Sequence, residues 1–536
     1  MNAIPDLFSE QYLIERAVSL GASSIPGWSN EELDLIAGLR DPADNCKEIL
    51  STRTKIAAGY DILGDEFCSI RPASFRRSLG ATYTPRTIVS AMVEWTRSVS
   101  EPSRIVDPGV GSGRFLLSAG AAYPNATLMG IEIDPVAAII ARANLAVAGM
   151  SNRSSVHVSK YQDFLLPRIK GQTLFIGNPP YVRHHSLSGL EKDWLAGEAG
   201  RLGFSASKLA GLHIHFILAT VLKAKPGDFG AFITSAEWLD VNYGMLAREL
   251  FLGPLGGQSI TLIEPTVLPF EDAATTAAII TFGIESRPKS VFFKRIQDLQ
   301  ELKGLGSGRR ILRERLVAET RWSHFTRTQT QKPAGYIELG ELCRVHRGQV
   351  TGANRVWIAD ATDTDLPASV LFPTVTRARE LFEAGFELRH DEQLKKVIDL
   401  PTDLDVFEGD ELVAVKRFLQ QAKLLNAHSS YVAQNRKTWW SVGLHAPAPI
   451  LATYMARRPP AFVRNLAAAR HINIAHGLYP REPISDSLCA ALCAYLARET
   501  NISLGRTYAG GLTKFEPREM ERIPIPPPAL LLSEYA

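Results

Sequence analysis

The chain has 536 residues, of which 45% are hydrophobic and 21% charged, with a formal net charge of +3. That is ordinary globular composition, with room for roughly two to four domains. No apolar run reaches the roughly 18–20 residues of a membrane span, and Met1–Asp6 lacks the basic and apolar regions of a signal peptide.

Residues 1–80 read as a mostly helical N-terminal extension, with breaks at Pro26-Gly27 and Asp41-Pro42. From 81 to 285 short apolar runs alternate with helical stretches. The strand candidates are 104–107, 127–132, 155–158, 174–176, 231–234, 260–263 and 278–282, with helical runs such as Arg114–Ala122 and Val136–Ala148. Such alternation predicts an α/β domain with a mostly parallel, doubly wound sheet. Residues 286–335 are rich in Lys, Arg and Gly and read as a connector. Residues 336–536 read as a mixed α+β domain of short strands and loops, with a helix near 485–500. The run Pro524-Ile525-Pro526-Pro527-Pro528 reads as a stiff end outside the core.

Five cysteines (Cys46, Cys68, Cys343, Cys489 and Cys493) show neither zinc-ligand spacing nor a disulfide frame. Cys489 and Cys493, four apart in an apolar stretch, fit one face of a helix core. No metal and a reducing cytoplasm are expected. The positive charge gathers towards the C-terminus: residues 412–481 hold ten Lys/Arg and no acid, together with Tyr431, Trp439, Trp440, Tyr454, Phe462 and Tyr479. A basic, acid-free stretch carrying aromatics suits a polyanion, because Lys and Arg replace the counterions condensed on phosphate. A solvated basic surface has the same composition.

The first chemical motif is Asp107-Pro108-Gly109-Val110-Gly111-Ser112-Gly113, between a strand and a helix. Glycines there admit a ligand close to the backbone, and the helix start offers free N–H groups. Glu132 ends the next strand, 25 residues after Asp107, where a carboxylate accepts from ribose hydroxyls. Asp134-Pro135 follows as a helix start. The G-x-G-x-G spacing departs from the dinucleotide fingerprint, so a nicotinamide reading fits poorly. After the third strand, Asp163 is placed to accept from the amine of an adenine, and Phe164 to pack on its face. A loop acid beside a core phenylalanine explains both equally simply.

The second motif is Asn178-Pro179-Pro180-Tyr181, directly after the strand at 173–177. A planar amine keeps its lone pair delocalised and attacks a sulfonium methyl only when that pair is localised. Two acceptors on the amine hydrogens, the Asn178 side-chain oxygen and the Pro179 carbonyl, favour that geometry. Pro179 and Pro180 stiffen the loop, and Tyr181 offers a face for stacking a base, worth about 1–3 kcal/mol.

In order and content these motifs resemble the gamma class of N6-adenine DNA methyltransferases, typified by the TaqI and Eco57I modification methylases. The resemblance covers roughly 80–525. It extends to Gly80-Ala81-Thr82-Tyr83-Thr84-Pro85, Val267-Leu268-Pro269-Phe270, Arg347–Asn354, Phe462–Asn465, His471–Asn473 and Gly510–Pro517. Gly109-Val110 replaces the usual Ala-Cys. The resemblance implies a methyltransferase sheet binding S-adenosyl-L-methionine (SAM) through Thr84, Asp107, Gly109, Gly111, Gly113, Glu132, Asp163 and Phe164. Asn178, Pro179, Pro180, Tyr181 and Phe270 would form the catalytic pocket. A target-recognition domain follows, with Arg347, Lys437, Arg464 and Lys514 as candidate DNA contacts.

The implied activity is methylation of N6 on an adenine flipped out of duplex DNA. The expected setting is a restriction-modification or related defence system, with any cognate nuclease encoded separately, and a monomer is expected. The rival reading is an RNA or protein-glutamine methyltransferase using the same loop. Residues 1–75 carry no assignable motif.

Overall fold

The computed structural model describes residues 10–39, 47–71, 84–263, 276–296, 298–326, 333, 335–359, 365–456, 458–508 and 512–535. It divides into two compact units, 1–328 with 509–511, and 329–508 with 512–536. Among the described residues no helix is long and apolar enough to cross a membrane.

In the first unit, helices α1 (Glu10–Ser19), α2 (Asn30–Ile36), α3 (Lys47–Ala57), α4 (Ile62–Ile70) and α5 (Arg86–Arg97) precede an alternating α/β region. There β1 (Arg104–Pro108), α6 (Arg114–Ala122), β2 (Thr127–Glu132), α7 (Pro135–Val147), β3 (Ser154–Val158) and β4 (Thr173–Gly177) follow one another. Then come α8 (Gly189–Arg201), α9 (Leu212–Lys223), β5 (Phe229–Ser235), α10 (Met245–Leu252), β6 (Gly257–Ile263), β7 (Ala277–Gly283), β8 (Ser290–Ile296) and β9 (Arg309–Leu312). All seven strands expected between 81 and 285 form.

The sheet runs β3-β2-β1-β4-β5-β7-β6-β8-β9. Strands β1 to β5 are parallel, and β7 lies antiparallel between β5 and β6. Both faces of the sheet's centre are covered, so β1, β4, β5 and β7 are buried along their whole length rather than alternating. On one face Ile105, Leu174, Ile176 and Ile233 pack with Ile88 of α5 and Leu116 of α6. On the other, Val106, Phe175 and Phe232 pack with Ile217 of α9 and Leu250 of α10. The chain order reverses beside β1, between β2 and β4. A cleft at their carboxyl ends therefore falls where doubly wound sheets bind ligands.

Two expectations are corrected. The segment 286–335 is not only a connector: β8 pairs parallel with β6, β9 pairs antiparallel with β8, and Trp322 and Phe325 are buried in the sheet's core. The helices before residue 71 are an integral layer rather than an appendage. Leu13, Ile14, Ile49, Leu63 and Phe67 pack on Val136, Ile139 and Ile140 of α7. Beneath them Arg142 and Glu32 form an ion pair with both side chains 0% exposed. Its charges are tolerated because the Arg142 guanidinium also donates to the carbonyls of Ile25, Pro26 and Val156.

The second unit is mixed α+β. A five-stranded sheet runs Cys343–Arg347, Ala475–Pro480, Ile450–Thr453, Phe462–Asn465, Glu387–Leu388. The helix Asp486–Glu499 packs against it, with Cys489 and Cys493 buried in the contact. The proline-rich stretch also departs from expectation. Pro524–Ile525 pairs antiparallel with Ile337–Glu338, and Pro528–Tyr535 is a helix whose Leu531 is buried. A two-stranded ribbon consists only of edges, where proline is tolerated, and Pro528 stands at a helix start, where its missing N–H costs nothing.

Candidate active site

The chain leaves β1 through three glycines with positive φ, Gly109 at 88°, Gly111 at 52° and Gly113 at 92°. Other residues are strained there. The turn is fastened to β2: the Gly109 and Val110 N–H groups donate to the Ile131 carbonyl at 2.7 and 3.0 Å. Glu132 then accepts from Gly111 N at 2.8 Å on one oxygen, and from Ile133 N and Asp134 N at 2.8 and 3.1 Å on the other. A carboxylate offers about four lone-pair positions. Glu132 thus keeps one acceptor position open on Oε2, and taking the two hydroxyls expected of it would require exchange of a backbone bond. Burial pushes its pKa up, and the three backbone donors oppose that shift.

These elements enclose a cavity of about 290 Å³, near the lower end of small-molecule sites. Of the predicted cofactor residues, Thr84, Gly109, Gly111 and Glu132 line it. Gly113 stands behind the wall as the residue before α6, where a Cβ would sit 3.6 Å from Ala141. Asp107 is 1% exposed, and neither carboxylate oxygen has a hydrogen-bond partner among the described residues. Burial first, and the charge of Glu132 second, hold its pKa well above the carboxylate range.

Asp163 and Phe164 are not in the wall. Asp163 is exposed, and Phe164 packs on His157 with ring centroids 4.9 Å apart. Their neighbours Ser159, Lys160, Tyr161 and Gln162 supply that side instead. The turn at 159–162 therefore reaches the cavity before the predicted pair does.

The Asn-Pro-Pro-Tyr loop leaves β4 on the opposite side. Asn178 and Pro180 line the cavity, and a Cβ on Gly109 would lie 3.8 Å from Pro180 Cδ. Asn178 Nδ2 donates to Thr84 Oγ1 at 3.0 Å, which turns Oδ1 into the acceptor end of the amide. Pro179 is buried. The Tyr181 hydroxyl is buried with no hydrogen-bond partner among the described residues, which drives its pKa upward and keeps it protonated. Tyr181 is not in the cavity lining. Phe270, and residues 80–83 before Thr84, lie outside the described residues.

Several wall residues carry no local sequence signal. Phe67 of α4, Arg114 of α6, Leu187 and Glu191 at α8, and Phe216 of α9 all contribute. Lys160 and Glu191 form an ion pair at 3.0 Å between two parts of this wall. The Ser188-x-x-Glu191 spacing marked the capping box that opens α8, but no local pattern tied it to a pocket.

In the second unit the four DNA candidates differ. Arg347 and Lys437 are exposed. Arg347 lies over the Tyr454 ring at 5.3 Å, and Lys514 at 5.6 Å. Arg464 is committed elsewhere, donating to Glu387 at 2.8 Å and Asp486 at 2.6 Å with its side chain 13% exposed. Much of the basic, aromatic stretch is also internal. Trp439 and Trp440 pack on the cluster containing Trp357, Arg436 donates to the Thr351 carbonyl, and Arg470 to those of Leu444 and His445. The acid-free composition reflects arginines satisfied by carbonyls as well as exposed cations.

A doubly wound sheet with an antiparallel β7, a glycine turn fastened to an acid at the end of β2, and Asn-Pro-Pro-Tyr after β4 define a SAM-dependent methyltransferase. Residues 60–233 match the N-6 DNA Methylase family, and 318–534 match the C-terminal domain of Type II methyltransferase M.Eco57I. Type II methyltransferase M.XamI of Xanthomonas campestris pv. amaranthicola is 54% identical over 447 residues, 83% of this chain and 85% of that protein. Type II methyltransferase M.AccI of Acinetobacter calcoaceticus is 23% identical over the same shares. The DNA-bound Type IIL restriction-modification enzyme MmeI superposes with a TM-score of 0.56 at 13% identity, covering 95% of this chain and 78% of that one. The chain belongs to the type II DNA methyltransferases of the N-6 DNA methylase family.

Proposed function

We propose that the protein transfers the methyl group of SAM to N6 of an adenine flipped out of duplex DNA at a specific sequence, as the modification half of a restriction-modification system. The observation that carries this reading is the Asn178 amide, held by Thr84 at the edge of the cavity, with Pro179 beside it. The cofactor residues fit SAM: an acid still able to accept a hydroxyl, two glycines, Gly109 and Gly111, that bring bare backbone to the wall, and a cavity of suitable size.

SAM supplies an electrophilic methyl on a sulfonium sulfur. Glu132 and the Gly109–Gly113 turn bind and orient it. Asn178 Oδ1 and the Pro179 carbonyl accept the two amine hydrogens of adenine, which localises the nitrogen lone pair towards the methyl. Tyr181 and Phe270 hold the ring. After transfer the amine carries an extra proton, and the same two acceptors hold it until water takes it. No covalent enzyme intermediate is required. Extrusion of the base costs a few kcal/mol, offset by stacking and by phosphate contacts from Arg347, Lys437 and Lys514 of the second unit.

The length of the M.XamI match, spanning both units, favours DNA over an RNA or glutamine substrate. Expression in a methylation-free host, followed by single-molecule sequencing of its DNA, tests the proposal. N6-methyladenine at one recurring motif is the expected result. Unmodified DNA, with methyl transfer to RNA or protein instead, overturns it.

A further inference from the structure

The segment before residue 71 meets the end of the cofactor turn at α4, where Asp65 accepts from Arg114 at 2.6 Å and Asp61 makes a wider set of contacts. Asp61 precedes α4 and caps it, accepting from Gly64 N at 3.0 Å on Oδ1. A helix cap needs no more than that. Asp61 accepts three further donors from other elements. Asn144 Nδ2 of α7 reaches Oδ1 at 3.0 Å, Arg114 Nε reaches Oδ2 at 2.6 Å, and the Ser112 hydroxyl also donates to Oδ2. Asn144 simultaneously donates to the Ser112 carbonyl at 2.9 Å, so the end of the glycine turn is gripped from both sides. Arg114 continues the chain of contacts, donating to the Thr84 carbonyl at 3.2 Å. Thr84 in turn holds Asn178.

We infer that Asp61 is a positioning residue for methyl transfer. Its Oδ2 fixes Ser112 and Arg114, and so sets both the cofactor turn and, through Arg114 and Thr84, the amide of Asn178. The inference rests on the reading of this cavity as the SAM site. It gives the motif-free N-terminal helices a part in the active site, although Asp61 touches no reacting atom.

The Asp61→Asn variant separates the two roles. Asparagine caps a helix as well as aspartate, so Oδ1 and the start of α4 survive. Oδ2 becomes an NH2 facing the Arg114 and Ser112 donors. SAM dissociation constants by calorimetry, and single-turnover methylation of duplex DNA at saturating SAM, are measured on the full chain beside thermal melting. Asp61→Asn should weaken SAM at least tenfold and slow transfer at least tenfold, with little change in melting. Ser29→Ala, which removes the cap of α2, should lower the melting temperature and leave both constants within twofold. Wild-type constants in Asp61→Asn overturn the inference and reduce Asp61 to a cap. If that variant fails to fold, Arg114→Lys decides, since it keeps the charge and loses the fork that spans Asp61 and Thr84. Transfer slowed at least fivefold supports the inference, and an unchanged rate overturns it. A wild-type protein that binds no SAM overturns the cavity assignment itself, a result distinct from any behaviour of the variants.

Discussion

Asn178 Nδ2 donates to the hydroxyl of Thr84 at 3.0 Å, so a residue 94 positions earlier orients the amide proposed to hold the target amine. Asn178→Ala should retain SAM affinity and lose about 10²–10³ in transfer rate, the usual cost of deleting one transition-state hydrogen-bonding group. Thr84→Val keeps the shape and frees the amide to turn. A loss of about tenfold is expected, the size of one modest hydrogen bond. Single-turnover rates at saturating SAM read both. Thr84→Val at the wild-type rate would show that the amide needs no such hold.

Asp107 and Gly177 constrain one another. A Cβ on Gly177 would lie 2.4 Å from Asp107 Oδ1, so Gly177→Ala should displace the loop that follows and depress transfer more than stability. Because burial raises the pKa of Asp107 in the folded chain, the folded state retains a proton that the unfolded chain has released. Stability through this group therefore falls as pH rises from the ordinary carboxylate range to the raised value, and the full cost stands above it. Asp107→Asn should raise the melting temperature, more at pH 7.5 than at pH 5, while weakening SAM about tenfold or more. An equal gain at both pH values contradicts the raised pKa of Asp107.

With Glu132 at the ribose as proposed, its raised pKa should give cofactor binding an acid limb. Only the ionised form accepts from a ribose hydroxyl while holding its three backbone donors. SAM affinity should therefore fall as pH drops, beginning above the usual glutamate range. Glu132→Gln should bind about tenfold more weakly and lose this limb in calorimetric titrations across pH.

Tyr181 should need its ring and not its hydroxyl. The buried phenol makes no hydrogen bond among the described residues, so Tyr181→Phe should methylate within about twofold of wild type. Tyr181→Ala should lose about 1–3 kcal/mol of base capture. Fluorescence of 2-aminopurine at the target position, beside SAM calorimetry, separates base capture from cofactor binding.

The basic residues of the second unit should divide by their partners. Arg347→Ala and Lys437→Ala should each reduce the slope of log affinity for DNA against log salt by about 1. Arg464→Ala should leave that slope intact and destabilise the unit by about 1–3 kcal/mol, because its charge is held by Glu387 and Asp486. Filter-binding titrations at several salt concentrations, with urea melts, distinguish the two groups.

What the sequence made legible was contiguous. The seven strands, the glycine turn, Glu132 and the Asn178 loop are local patterns, and each appears where its pattern places it. Asp61 was opaque because its partners Ser112, Arg114 and Asn144 lie 51 to 83 residues away, and a single acid before a helix reads as a cap. Trp439 and Trp440 misled for a related reason: an aromatic among cations looks like a stacking surface until the Trp357 cluster claims it. Strands β8 and β9 were hidden in a stretch whose composition spoke of a linker, since β9 is the edge of the sheet, where charges keep a strand from pairing further, and β8 lies next to it.

The ribbon joining Ile337–Glu338 to Pro524–Ile525 brings the opening and closing segments of the second unit side by side. Such a unit carries its own seam. Recombination at residue 328 that exchanges the sequence after it leaves the sheet, the glycine turn and the amide loop untouched. With the second unit read as the part that recognises DNA, as proposed above, such an exchange would change the target sequence without reinventing the chemistry.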